Sequence, residues 1–222
     1  MREPYYQDEA VTILHADCRE VLPQLGKADL VITDPPYEVH AGKGGGCFGN
    51  RDHLVNTGGF TDMGFDATIL SGFANWFCFC SRKQLPDLLQ KAAEQPRWNL
   101  LTWCKPNPVP TCNNKYLPDV EYVVHAFTSG RLFGDMPVKS SFMLCPCGNK
   151  ETSHPNEKPL GIIKKLVCLG TQEGETILDP FAGSCTTGRA AKDLGRKCIC
   201  IEREERYCEI GAKRMAQEVL AL

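Results

Sequence analysis

Residues 176–188 read TILDPFAGSCTTG: a short apolar run, then an acid, then a segment of small residues. The run at 176–178 predicts a buried strand, and the spacing of residues 189–194 predicts a helix that stops at Gly195. A strand, a small-residue loop and a helix together form the start of a generic nucleotide-binding unit.

The next predicted strand, residues 197–201, supports that interpretation. It ends at Glu202, roughly 20 residues after Asp179, where a ribose diol requires an acceptor. These two features alone indicate an adenosine-containing ligand.

The rest of the chain continues the alternation of short apolar runs with helical patterns. Further strands are predicted at residues 10–15, 28–33, 75–80, 97–103 and 120–127, and helices at 82–94, 160–169 and 204–220. The pattern predicts an α/β protein with one open, mostly parallel sheet and helices on both faces. The closing helix, whose first turns are rich in Arg and Glu, is interpreted as a charged solvent face.

A second motif, Asp34-Pro35-Pro36-Tyr37, follows the predicted strand at 28–33, and ligands bind at such strand ends. The amino nitrogen of adenine or cytosine is a poor nucleophile because its lone pair is conjugated into the ring. The Asp34 carboxylate and the Pro35 carbonyl can accept its two hydrogens, and the proline pair holds that carbonyl in place. Tyr37 offers a face for the base, worth roughly 1–3 kcal/mol. Catalysis would then be alignment and electrostatics.

The two motifs together resemble the N6-adenine/N4-cytosine DNA methyltransferase family. The catalytic motif at 34–37 precedes the cofactor motif at 179–184, an order similar to that of the circularly permuted β-class. Residues 154–159 look like the family's His-Pro-Thr-Gln-Lys-Pro element, so the resemblance extends over nearly the whole chain. It implies a Rossmann-like fold, S-adenosylmethionine, double-stranded DNA, base flipping and, in many members, a homodimer.

The resemblance also assigns the site residues. The catalytic set is Asp34, Pro35, Pro36 and Tyr37, and the cofactor-binding set is Asp17, Lys158, Asp179, Phe181, Ala182, Gly183, Ser184, Thr186, Thr187 and Glu202. Asp17 is also a candidate helix N-cap, and both roles can hold together.

Two departures from the family pattern bear on the cofactor site, one at Cys185 and one at Asn156-Glu157, which stand in place of Thr-Gln. Cys185 stands where the family has its second loop glycine, so its side chain would crowd the cofactor or require a shifted backbone. Glu157 stands where the family has glutamine, which adds a negative charge near the cofactor.

The 222 residues are enough for a single domain spanning 1–222, with target-recognition loop regions at 38–66 and 105–153. A net charge of −2 gives no global attraction to DNA, so a local basic patch is needed. The candidate phosphate contacts are Lys43, Arg51, Lys105 and Lys115.

The polar N-terminus and the lack of a long apolar run predict a soluble cytoplasmic protein, as expected of a prokaryotic or phage methyltransferase. Cys145 and Cys147, with His154 downstream, lack the usual two-residue gap between zinc ligands, so no metal is predicted.

Two alternatives remain open at this point. We expect methylation of adenine N6, because the cytosine enzymes of the family more often carry Ser at the position of Asp34, and cytosine N4 is the first alternative target. Otherwise the chain is an inactive relative that binds DNA or a protein partner, with Cys185 and Glu157 marking a decayed cofactor site.

Overall fold

Short apolar runs of the sequence form the strands of one sheet. A computed structural model describes residues 3–36, 65–108, 110, 116–148, 152 and 157–217. These residues form nine strands: β1 (Tyr6–Gln7), β2 (Val11–His15), β3 (Leu30–Thr33), β4 (Asn75–Cys80), β5 (Arg97–Cys104), β6 (Val120–Phe127), β7 (Phe142–Leu144), β8 (Thr176–Asp179) and β9 (Lys197–Glu202). Their spatial order is β1-β2-β9-β8-β3-β4-β6-β5-β7.

The centre of the sheet is parallel. Strands β2, β9, β8, β3 and β4 all run in one direction. Strand β6 is antiparallel to both of its neighbours, and β1 is antiparallel to β2. The predicted mostly parallel sheet is therefore confirmed.

Strands β8 and β3 are neighbours in space although they are far apart in the chain; Leu30 is paired with Ile177 and Val31 with Leu178. The chain continues from β8 to β9 on one side and from β3 to β4 on the other. Such a change of direction opens a crevice beyond the carboxyl ends of the two strands, where ligands bind in open α/β sheets.

Helices cover both faces, as predicted. They are α1 (Cys18–Val21), α2 (Leu85–Ala92), α3 (Leu160–Gly170), α4 (Thr186–Asp193) and α5 (Glu205–Met215), with short 3-10 turns at Leu22–Gln24 and Ala67–Leu70. One core lies between the sheet and α3, α4 and α5, and the other lies under α1 and α2. Each fully buried leucine, such as Leu166 or Leu88, contributes roughly 1.5–3 kcal/mol.

Some boundaries differ from the prediction. The region 105–153 contains β7 in addition to β6, because a strand of three residues is too short for its alternation to be recognised. Helix α2 begins at Leu85 rather than 82, with Pro86 in its first turn, as proline favours. Helix α5 ends at Met215 rather than 220.

Within the described ranges, no helix combines the length and the apolar character needed to cross a bilayer.

Cys185 is the residue just before α4, and its backbone is left-handed, with φ of 56°. This conformation is unfavourable for a residue with a Cβ. Its side chain is completely buried and lies against Gly211 of α5. The core therefore takes up the sulfur, and the expected crowding of the crevice does not occur.

Gly211 makes room for that sulfur, because a Cβ at Gly211 would lie 2.5 Å from Cys185 Sγ. We expect Gly211→Ala to lower the free energy of unfolding by about 1–3 kcal/mol through overpacking. Chemical denaturation measures the difference. Gly161→Ala in α3 is the matched control, since nothing lies within 4 Å of that site, and it should be neutral or slightly stabilising. Equal stability of the two variants would contradict this packing.

Candidate active site

Three acids lie side by side at the carboxyl edge of the parallel strands. Asp34 follows β3, Asp179 ends β8 and Glu202 ends β9. Since β3, β8 and β9 are adjacent, the sheet brings together residues from distant parts of the sequence. They surround the crevice at the change of strand direction.

The backbone after Asp34 is held in place by a neighbouring turn. The Gln84 amide donates a hydrogen bond to the Pro36 carbonyl at 3.2 Å, and its own oxygen accepts one from the Ser81 amide at 3.0 Å. No described residue donates to the Pro35 carbonyl.

Lys158 forms an ion pair with Asp34 Oδ2. Its ammonium also lies 3.5 Å from Glu121 Oε2, and Lys105 Nζ lies 2.5 Å from Glu121 Oε1. The Lys158 residue is only 9% exposed. Burial alone would lower the pKa of this ammonium, but Asp34 and Glu121 outweigh burial and raise it. The result is a row of alternating charges that ends at Asp34.

The loop between β8 and α4, residues 180–185, is closed by backbone hydrogen bonds. The Gly183 amide donates to Glu202 Oε2 at 2.8 Å, and the Phe181 amide donates to Asp179 Oδ1 at 3.1 Å. The Ala182 amide donates to the Ile201 carbonyl at 3.0 Å. We call this segment the β8–α4 loop.

Hydroxyl side chains continue from this loop into α4. Ser184, Thr186 and Thr187 are all buried. Ser184 Oγ lies 3.4 Å from Thr186 Oγ1. Small side chains and a helix start at this position suit a polar ligand that approaches the backbone closely.

Burial and mutual repulsion disfavour the ionised forms of the carboxyl groups in the crevice. Burial raises the pKa of Asp179 to about 7, and the negative charges of Asp34 and Glu202 add to the effect. Burial also raises the pKa of Glu202. A cationic ligand would relieve this repulsion.

Asp17 lies at the same edge, two residues beyond the end of β2. Its carboxylate accepts from the Arg19 amide at 3.0 Å, so it is the N-cap of α1, and it also pairs with the Arg19 guanidinium at 2.5 Å. The Ala16 amide donates to the Glu202 carbonyl at 2.9 Å, which ties this strand end to that of β9.

Several predicted site residues lie outside the described part of the chain. They are Tyr37, Lys43, Arg51 and Lys115, along with His154 of the zinc candidate. Lys105 is described, but Glu121 neutralises its charge within the protein, which argues against a phosphate contact. Within the described residues, no group of three or more His, Cys, Asp or Glu side chains is placed to hold a metal ion.

Two charged residues near the crevice are not among the site residues predicted from the sequence. Glu121 lies in β6, and Arg214 lies in the closing helix, only 4% exposed rather than on a solvent face. Helical spacing is the signal that could have found Arg214, because it shares one face with the buried residues Tyr207 and Gly211.

Comparison with known proteins gives related sequences. A family model described as DNA methylase matches residues 139–213. Type II methyltransferase M2.LlaDCHI of Lactococcus lactis subsp. cremoris is 29% identical over 259 residues, which cover 97% of this chain and 93% of that protein. Type II methyltransferase M2.MboI of Moraxella bovis is 28% identical and covers 96% and 90%.

Solved structures show the same architecture. The M1.HpyAVI–SAM complex has a TM-score of 0.65 at 25% identity, covering 92% of this chain and 99% of that one. PvuII DNA methyltransferase (cytosine-N4-specific) has a TM-score of 0.73 at 15% identity, covering 99% and 91%. At that identity the second likeness concerns the fold alone.

The raised pKa of Asp179 makes stability depend on pH. Its folded-state pKa of about 7 exceeds the ordinary 3.8, so the folded protein holds this proton more tightly than the unfolded chain. Its stabilising contribution is full below about pH 4 and is lost as the pH rises through about 7.

We expect Asp179→Asn, which cannot ionise, to reduce the loss of stability between about pH 5 and about pH 8. Chemical denaturation across that range measures the slope. Asp87→Asn on the exposed face of α2 is the control and should keep the wild-type slope. An unchanged slope in Asp179→Asn would show that this carboxyl does not titrate there.

Proposed function

We propose that the chain is an N6-adenine/N4-cytosine DNA methyltransferase that methylates the N6 amino group of adenine in DNA, a proposal supported by its match to a DNA methylase model and its similarity to type II methyltransferases. S-adenosylmethionine is the methyl donor, and the target base is flipped out of the duplex. The observation that carries this proposal is the position of Asp34, fixed by Lys158 at the crevice beside the β8–α4 loop.

The residues of the crevice fit S-adenosylmethionine, which supplies a methyl group on a positively charged sulfur. A sulfonium bound beside Asp179 and Glu202 would lower their raised pKa values, and their ionised forms would in turn stabilise it. Gly183 and the hydroxyl side chains that follow it let the backbone come close to the ligand. Glu202 keeps lone pairs for a ribose diol, since each of its oxygens accepts one backbone hydrogen bond.

Asp34 and the Pro35 carbonyl act on the amino group of the base. Lys158 binds one oxygen of Asp34, and the other oxygen has the capacity to accept an amino hydrogen. The Pro35 carbonyl accepts the second hydrogen. Both bonds draw the nitrogen toward a tetrahedral geometry and free its lone pair for attack on the methyl carbon. With S-adenosylmethionine bound, the new nitrogen–carbon bond would form as the sulfur–methyl bond breaks and a neutral thioether leaves, and Asp34 would accept the proton that the amino group gives up.

The two departures from the family pattern leave this chemistry intact. The Cys185 sulfur lies in the core, and the Glu157 carboxylate is paired with Arg214 at 3.2 Å. Both observations favour an active enzyme over an inactive relative. Calorimetry with S-adenosylmethionine separates the two, because a decayed site in a folded protein would show no binding.

DNA is the partner that this activity requires. We place its contacts in regions 38–66 and 105–153, with Lys43, Arg51 and Lys115 as phosphate contacts and Tyr37 as the stacking face. The proposal also includes the permuted β-class order within one domain, a homodimer and a cytoplasmic location, as the family resemblance implies.

We predict that Asp34→Ala abolishes methyl transfer and changes cofactor affinity by less than about tenfold, or 1.4 kcal/mol. The assay incubates the protein with labelled S-adenosylmethionine and DNA, and mass spectrometry identifies the labelled nucleoside. Asp87→Ala is the control and should keep full activity. Label in N4-methylcytosine would overturn the choice of base, and turnover by Asp34→Ala would refute the role of this carboxylate. The same assay with RNA in place of DNA tests whether RNA is a substrate.

We also expect Lys158→Met to lower kcat by about tenfold or more, because a misplaced Asp34 no longer holds the amino group. Cofactor affinity should change less than kcat, and Lys158→Arg should restore part of the rate. Steady-state kinetics measures this, with Lys213→Met as the control, since the Lys213 side chain is largely exposed. An equal loss in the methionine and arginine variants would show that the cation does not position Asp34.

A further inference from the structure

We propose that Arg214 and Glu157 form a buried clamp that fixes the β8–α4 loop relative to Asp34, which makes Arg214 a positioning residue for methyl transfer. The inference rests on the proposed function, since it concerns binding of the methyl donor. Neither residue belongs to the two sequence motifs.

The clamp is defined by contacts of one guanidinium nitrogen. Arg214 Nη1 lies 3.2 Å from Glu157 Oε1 and donates to Thr186 Oγ1 at 3.0 Å. It also donates to the Ser184 carbonyl at 3.4 Å. Arg214 thereby joins helix α5, the end of the β8–α4 loop and the segment before α3.

Both charged groups are shielded from water, because the two side chains are each only 3% exposed. A buried charge is tolerated when it is paired, whereas removal of one partner leaves the other uncompensated. Glu157 is held from its other side by Thr152, whose backbone amide donates to Oε2 at 3.0 Å. The carboxylate therefore has a fixed position, and Arg214 supplies its balancing charge.

The position of Glu157 in the chain gives the clamp its functional consequence. The next residue, Lys158, forms the ion pair with Asp34. One short segment is thus bound to the β8–α4 loop through Glu157 and to the proposed catalytic acid through Lys158. Movement of this segment would displace the cofactor site and the amino-group site together.

The charge at 157 also explains why an arginine is needed. A glutamine at this position, the residue of the resembled pattern, would be neutral and would require no cation. In this chain the carboxylate is compensated from α5. The cost of losing Arg214 should therefore depend on which residue stands at 157.

A double-mutant cycle tests that dependence. Four full-length proteins are compared: wild type, Glu157→Gln, Arg214→Met and the double variant. Calorimetry with S-adenosylmethionine gives the Kd well below the melting temperature, and labelled transfer to DNA gives kcat. Arg214→Met keeps an aliphatic side chain of similar length without the charge.

We expect Arg214→Met to weaken cofactor binding by about tenfold or more when Glu157 is present, and to lower kcat. In the Glu157→Gln background the same substitution should cost less than about threefold, whereas Glu157→Gln alone, which leaves the buried Arg214 cation without its carboxylate, should also weaken binding. If Arg214→Met fails to fold, the double variant must still fold and bind with near wild-type affinity.

Arg131→Met is the matched control. Arg131 pairs with Glu175 at 2.7 Å at the opposite edge of the sheet, so its loss should lower the melting temperature without changing the cofactor Kd. Equal losses from Arg214→Met in both backgrounds, or an unchanged Kd in a folded Arg214→Met protein, would overturn the clamp. Absence of binding by wild type would instead refute the proposed function.

Discussion

The ion pair between Lys158 and Asp34 is the interaction on which the rest of the crevice depends. Three carboxylates meet at the ends of β3, β8 and β9 because parallel neighbours finish at one edge. Such a group of acids in a buried place is unstable unless cations balance it. Lys158 balances Asp34 and is in turn held by Glu121. Burial raises the pKa of Asp179 and of Glu202, and a bound sulfonium would favour their ionised forms.

The same division of charge separates the two halves of the proposed reaction. Around Asp34 the charges alternate, and Lys158 binds one oxygen of the Asp34 carboxylate. The protein thereby fixes the orientation of this carboxylate. Around the β8–α4 loop, backbone amides and the Arg214–Glu157 pair hold the loop itself. Helix α3 begins directly after Lys158, so a rigid element carries the residues that connect the two halves. Preorganised groups of this kind act at the moment of reaction without rearrangement.

The sequence was informative where local patterns reflect the fold. Buried parallel strands appear as continuous apolar runs, so β2, β3, β4, β8 and β9 and the acids at their ends could be predicted. The partners of those acids could not be predicted, because Lys158 reaches Asp34 from 124 residues away and Glu121 comes from a strand of opposite direction. From the sequence, Lys158 was predicted to bind the cofactor and Lys105 to contact DNA. Sequence spacing carries no information on their ion pairs with Asp34 and Glu121. Arg214 was not predicted as a site residue because the closing helix was interpreted as a charged solvent face, although its helical spacing places it with buried residues. Tyr37 lies outside the described residues.

The most direct test of the central claim is a crystal structure of the protein with a non-reactive S-adenosylmethionine analogue and DNA. We expect the amino nitrogen of an extrahelical adenine within hydrogen-bonding distance of the Asp34 carboxylate and the Pro35 carbonyl, facing the analogue. Lys158 should remain on the other carboxylate oxygen. A crevice filled by protein side chains, with no room for a base beside Asp34, would contradict the proposed chemistry.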